Sequence, residues 1–93
     1  MPDDLQRGLL RGLIYPIQFD QDPITGVNRV LEQVVRSRAM NAGAADYLAA
    51  VQAGLRSEEK LSELIPQGHT ESVIRAYLAA IEKRLENEPT VQA

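Results

Sequence analysis

Apolar residues recur along most of this chain at spacings of three and four, the pattern of helices that each bury one face. Leu5, Leu9, Leu10 and Leu13 form the first such stripe. Asp3 or Asp4 stands ahead of it, where a short carboxylate can cap free amides and meet the positive end of the helix dipole. Tyr15-Pro16 should end this helix, because the residue before a proline disfavours the α region. In "YPIQFDQDP", residues 15–23, Ile17 and Phe19 alternate with Gln18 and Asp20. That alternation predicts a short extended connector near residues 15–22 that packs both apolar side chains. Asp22-Pro23 then suits a cap followed by the first helical position, where proline's missing N–H does no harm. The helix so begun carries Ile24, Val27, Leu31, Val34 and Val35 on one side. Gly26 weakens its first turn by roughly 1 kcal/mol relative to Ala and favours a later start. Glu32 and Arg36 form an i,i+4 pair in the favourable order.

"NAG", residues 41–43, marks a turn. A third helix is predicted through Ala44, Tyr47, Leu48 and Val51 to about residue 53, with Gly54 as its stop. Ser57 offers a cap for a short fourth helix that buries Leu61, Leu64 and Ile65 and is closed by Pro66 and Gly68. Thr70 caps the last helix, with Glu71 in its first turn, a Glu71–Arg75 pair, and an apolar set of Val73, Ile74, Tyr77, Leu78, Ile81 and Leu85. The connectors are short, so neighbouring helices should pack antiparallel. The predicted fold is all-α: a compact antiparallel bundle of four to five helices, one domain over residues 1–86, and a frayed tail over 87–93 stopped by Pro89.

Two of these helices nearly repeat one another. "DYLAAVQAGL", residues 46–55, matches "AYLAAIEKRL", residues 76–85, at the tyrosine, the leucines and the paired alanines. A helical repeat array needs about three units to bury a continuous core, and only two are present. The flanking sequences differ, and internal duplication and convergence on one packing solution both remain open. Either way Leu48, Val51, Leu78 and Ile81 should be buried in one core, with the tyrosine hydroxyls at its edge.

Composition narrows the function classes. The chain has 93 residues, 44% of them apolar and only 4% aromatic, so its core must be aliphatic. It contains no cysteine, which excludes disulfides, thiolate catalysis and cysteine-bound zinc. No apolar run reaches the roughly 20 residues that cross a bilayer. The acidic start, Met1-Pro2-Asp3-Asp4, is unlike a basic signal peptide and points to the cytosol. Net charge is −3, and the second half of the chain is rich in glutamate. That balance argues against general nucleic-acid binding, which needs a clustered basic face.

Few residues suggest chemistry. His69 is the only histidine, and it stands between Gly68 and Thr70 at a helix start, where an exposed turn residue is expected. A general base or a metal centre needs more partners than that. Asp20-x-Asp22 resembles the start of a calcium loop, but Ile24, Thr25 and Leu31 occupy positions where that loop needs a ligand, a glycine and a terminal acid. A turn and a helix cap explain the two aspartates. Arg29, Arg36 and Arg38 hint at a helix-turn-helix DNA reader, yet the helix after the turn, "AADYLAAVQA", lacks base-reading side chains. No catalytic residue, cofactor site or metal site is expected.

The stretch "LSELIPQGHTESVIRAYLAAIEKRL", residues 61–85, resembles the C-terminal part of small bacterial immunity proteins from contact-dependent growth inhibition systems. The features that carry it are Leu64-Ile65-Pro66, the helix start at His69-Thr70-Glu71, and the face of Ile74, Tyr77, Leu78, Ile81 and Leu85. They cover under a third of the chain. The resemblance implies a non-enzymatic cytosolic antidote that binds one cognate toxin domain, often a nuclease, and blocks it. That family shares no single toxin-binding patch, so contact residues follow from charge and expected exposure: Asp20, Asp22, Glu58, Glu59, Glu63 and Glu71. Acidic side chains there would steer association with a basic toxin. The alternatives are a small DNA-binding regulator and a structural subunit of a larger assembly.

Overall fold

The longest helices form where the apolar spacing places them, and Asp3 and Thr70 cap two of them as expected. In the computed structural model, which describes residues 2–36 and 42–87, the order is α1 (Asp4–Ile14), 3-10 turns at Tyr15–Ile17 and Pro23–Gly26, α2 (Val27–Val30), α3 (Ala44–Arg56), a 3-10 turn at Leu61–Glu63, and α4 (Glu71–Glu86). There is no strand among the described residues. Arg38, Asn41 of the "NAG" turn and the tail beyond residue 87 lie outside the described residues.

Asp3 caps α1, its carboxylate accepting from the Gln6 amide at 2.8 Å while the Gln6 side chain accepts from the Asp3 amide at 3.2 Å. This reciprocal box satisfies two amides the helix cannot satisfy itself. At about 100° per residue, Leu9, Leu10, Leu13 and Ile14 share an arc of roughly 140°, and all four are buried. Leu5 falls roughly 40° outside that arc, and it is 70% exposed rather than part of the buried stripe.

The connector after α1 is not extended. Tyr15–Ile17 continues as a 3-10 turn with Pro16 inside it, and Gln18 keeps helical angles. Two residues share a face in a strand, but in a helix with three residues per turn i and i+2 point apart. Ile17 therefore goes fully inside while Phe19 stays 91% exposed. Asp22 caps the next segment as its position suggests, accepting from the Ile24 amide at 3.1 Å, with Pro23 as the first turn residue. The α-helix starts only at Val27, after Gly26, and passes into a π turn over Leu31–Val35, closed by the Arg36 amide donating to the Leu31 carbonyl at 2.8 Å. Val27, Val30, Leu31 and Val35 are buried, whereas Ile24 is exposed.

Helix α3 does not stop at Gly54 but runs to Arg56, with Ser57 as its C-cap. A Cβ on Gly54 would lie 3.0 Å from Leu10 Cδ1 and 3.5 Å from Leu61 Cδ2. The glycine therefore brings α1 and α3 together and is not a helix stop. Ser57 heads no fourth α-helix; its hydroxyl donates to the Gly54 carbonyl at 2.7 Å and accepts from the Glu59 amide at 3.3 Å. The short turn that follows buries Leu61 fully, and Leu64 and Ile65 partly. Thr70 caps α4 through the Val73 amide at 3.3 Å.

Helix α3 packs against both α1 and α4, and the Pro23–Gly26 turn lies on α4. Val51, Leu78 and Ile81 are fully buried in one continuous core, and Leu48 packs against it partly buried. Tyr47 and Tyr77 are both fully buried, not at the core edge. Tyr77 resolves its buried hydroxyl by donating to the Leu13 carbonyl at 2.6 Å. Burial pushes both phenols above their ordinary value.

Candidate functional site

Five of the six acids selected from sequence fall in two connectors and Glu71 opens α4; most of the six have intramolecular partners. Asp20 pairs with Arg29 at 2.6 Å, and Arg29 also donates to the Pro16 carbonyl at 3.3 Å. Asp22 is the exposed cap already described. Glu59 accepts a forked pair of bonds from Arg7, at 2.5 and 3.2 Å, and so ties the loop after α3 to α1. Its hydrogen bond and charge contact with Arg7 hold the Glu59 carboxyl below its ordinary value, and the same bond raises Arg7.

Glu71 is the most deeply engaged. Its carboxylate accepts from the Leu61 amide at 3.0 Å, the Ser62 amide at 2.8 Å and Arg75 at 2.7 Å. Burial pushes its pKa up, but the Ser62 and Leu61 amides, the Ser62 hydroxyl and Arg75 more than offset that and hold it at about 2. Arg75 extends the network by donating to the Leu55, Ser57 and Glu59 carbonyls at 3.1, 3.0 and 2.8 Å. One ion pair in the first turn of α4 thereby ties down the end of α3 and the chain that follows it as far as residue 62.

Glu58 and Glu63 are exposed on that connector. Arg56, Ser57, Glu58 and Glu59 line an open recess of about 450 Å³. The six acids therefore form no single cluster. Glu58, Glu59, Glu63 and Glu71 share the 57–71 connector and the start of α4, while Asp20 and Asp22 belong to the segment after α1.

His69 is not an exposed turn residue. It is half-buried, and its Nε2 lies 3.0 Å from the Ile17 carbonyl. A carbonyl can only accept, so Nε2 carries the proton and donates. Gln67 fixes the histidine's backbone, accepting from the His69 amide at 2.6 Å and donating to its carbonyl at 3.0 Å. No group of three or more His, Asp or Glu side chains converges for a metal among the described residues. Arg29 and Arg36 each meet a carboxylate, Asp20 and Glu32 respectively.

The surface feature that the sequence reading assigned to the interior is Phe19. With Tyr15 at 66% and Ile24 at 45% exposure, it puts three large apolar side chains outward from residues 15–26. The available signal was the polar setting of Phe19, between Gln18 and Asp20 with Gln21 and Asp22 following. Among the described residues, no helix is long and apolar enough to cross a membrane.

No protein-family model matches the chain, and comparison with curated proteins and with solved structures yields no match either.

Proposed function

We propose that this chain is a small cytosolic, non-enzymatic protein-interaction module, and that its most specific role is an immunity protein that binds and neutralises a cognate toxin domain. The observation that carries this reading is how the polar side chains are used. Asp20, Glu59, Glu71 and His69, the residues with most chemical potential, are bonded within the fold and stiffen its connectors. Exposed carboxylates at Asp22, Glu58 and Glu63 accompany exposed apolar side chains, a combination suited to a partner with basic and apolar surface. The resemblance over residues 61–85 to immunity proteins of contact-dependent growth inhibition supports the toxin-neutralising form.

The test is co-expression with each open reading frame that neighbours the gene and proves toxic on its own, followed by recovery of the complex; the absence of any such toxic neighbour also counts against the immunity reading. A stoichiometric complex and rescue of growth are expected. Unrelieved toxicity, or no complex, removes the immunity reading. A structural subunit of a larger assembly draws on the same exposed apolar side chains and predicts defined oligomers in light scattering.

A further inference from the structure

Phe19 is almost fully exposed, yet the turn that carries it is braced from several sides. The Ile17 carbonyl accepts from the Asp20 amide at 3.1 Å and from the His69 ring at 3.0 Å. Arg29 reaches back to the Pro16 carbonyl and the Asp20 carboxylate. Asp22 caps the Ile24 amide, and the Thr25 hydroxyl donates to the Asp22 carbonyl at 2.8 Å. Gly26 allows the fold-back: a Cβ there would sit 2.9 Å from Asp20 Oδ2 and 3.2 Å from Ile17 Cγ2. Bonds from α2 and from the chain just before α4 thus converge on a turn whose most prominent side chain touches almost nothing. An aromatic ring held in place before binding loses little conformational freedom on association, and such rings are the usual anchors of protein interfaces.

We infer that Phe19, flanked by Tyr15 and Ile24, is the anchor that inserts into an apolar pocket on a protein partner, and that the rim of that pocket is basic. This rests on the interaction reading above and names its contact surface. The charge next to the ring selects the occupant. Asp22 is exposed three residues from Phe19, whereas the Asp20 carboxylate is already paired with Arg29, which leaves the turn with one uncompensated negative charge. A second copy docked through the same turn would set Asp22 against itself, and an anionic lipid surface would repel it. A pocket edged by Lys or Arg would complement it. The acids at 58, 59 and 63 then lie outside the centre of contact.

The experiment places the photo-crosslinker p-benzoylphenylalanine at position 19 of the full chain in its native cells, alongside tagged wild type, Phe19→Ala, Asp22→Asn and Leu5→Ala. Phe19 and Leu5 are exposed, so all chains should melt together, and Asn retains the cap that Asp22 provides. The expected result is one partner whose cross-linked peptide is apolar and bordered by Lys or Arg. Recovery of that partner should fall by roughly tenfold or more with Phe19→Ala, as for an interface hot spot, and be unchanged with Leu5→Ala. Asp22→Asn should reduce the salt sensitivity of the association. A partner recovered equally by wild type and Phe19→Ala overturns this inference and leaves the interaction reading standing. Recovery of no protein by wild type removes both. Phe19-dependent self-association, or Phe19-dependent binding to phosphatidylglycerol vesicles in place of a protein, assigns the turn to another occupant and overturns the inference.

Discussion

Helices α3 and α4 share the "YLAA" motif, but they do not bury the same side of it. In α4 the buried set is Ile74, Tyr77, Leu78, Ile81 and Leu85. In α3 it is Tyr47, Ala50, Val51 and Gly54, while Leu48 and Leu55, the counterparts of Leu78 and Leu85, are only partly buried. At about 100° per residue, the two buried arcs are offset by roughly 60° around the helix axis. The difference follows from position. Helix α3 lies against both α1 and α4, and it meets α1 through its smallest residues, with Gly54 against Leu10. Helix α4 has Ala80 half-buried and Arg84 exposed at the equivalent places. A shared sequence pattern therefore specifies that a helix is amphipathic, while its neighbours decide which arc is turned inward.

Substitutions at matched positions should separate the two helices. Leu78→Ala empties a fully buried site and should cost about 3–4 kcal/mol in urea unfolding. The same change at the partly buried Leu48 should cost only about 1 kcal/mol. Similar losses at both would mean that the helices use the same face after all. At the start of α4, Glu71→Gln should cost about 2 kcal/mol near neutral pH, since it weakens the charge-assisted bonds from the Leu61 and Ser62 amides and from Arg75.

The same residue gives a pH signature. Glu71 is held at about 2 against an ordinary 4.5, so its contribution is complete above about 4.5 and is lost as pH falls from there towards 2. Stability measured from pH 6 to pH 2.5 should decline in the wild type, and the decline should be shallower in Glu71→Gln. A parallel decline in the two would show that the Glu71 network is not formed. Tyr77→Phe deletes the bond to the Leu13 carbonyl and should cost about 1–1.5 kcal/mol by the same unfolding assay. Phe19→Ala, which removes a side chain with almost no contacts, should change stability by less than about 0.5 kcal/mol.

Most of the architecture was legible in the sequence because helix grammar is local. The caps at Asp3, Asp22 and Thr70, the later start after Gly26, and the Glu32–Arg36 and Glu71–Arg75 pairs all involve residues within four of each other. The errors came where distant residues decide. Gly54 reads as a stop until Leu10 is known to lie against it. Val73, like Leu5, has the right spacing for its helix's apolar face but lies just beyond the buried arc. The alternation of Ile17 and Phe19 suits a strand, but the 3-10 turn splits the pair. His69 looks exposed unless its bond to Ile17, 52 positions away, is visible. The acids at 20, 22, 58, 59, 63 and 71 were identifiable as charges. Their division into internal braces and exposed carboxylates depended on Arg7, Arg29 and Arg75 arriving from elsewhere in the chain.

The claim that α3 and α4 bury different arcs is tested most directly at Gly54 and Arg84, which occupy equivalent positions in the two "YLAA" segments. Helix propensity alone would make Gly54→Val stabilising by a few tenths of a kcal/mol and Arg84→Val destabilising by a similar amount. Packing against Leu10 and Leu61 should reverse the first sign. Equilibrium urea unfolding of both variants should show Gly54→Val losing about 2–3 kcal/mol and Arg84→Val losing less than about 0.5 kcal/mol. Gly54→Val as stable as the wild type, or a matching loss at both sites, would contradict the account.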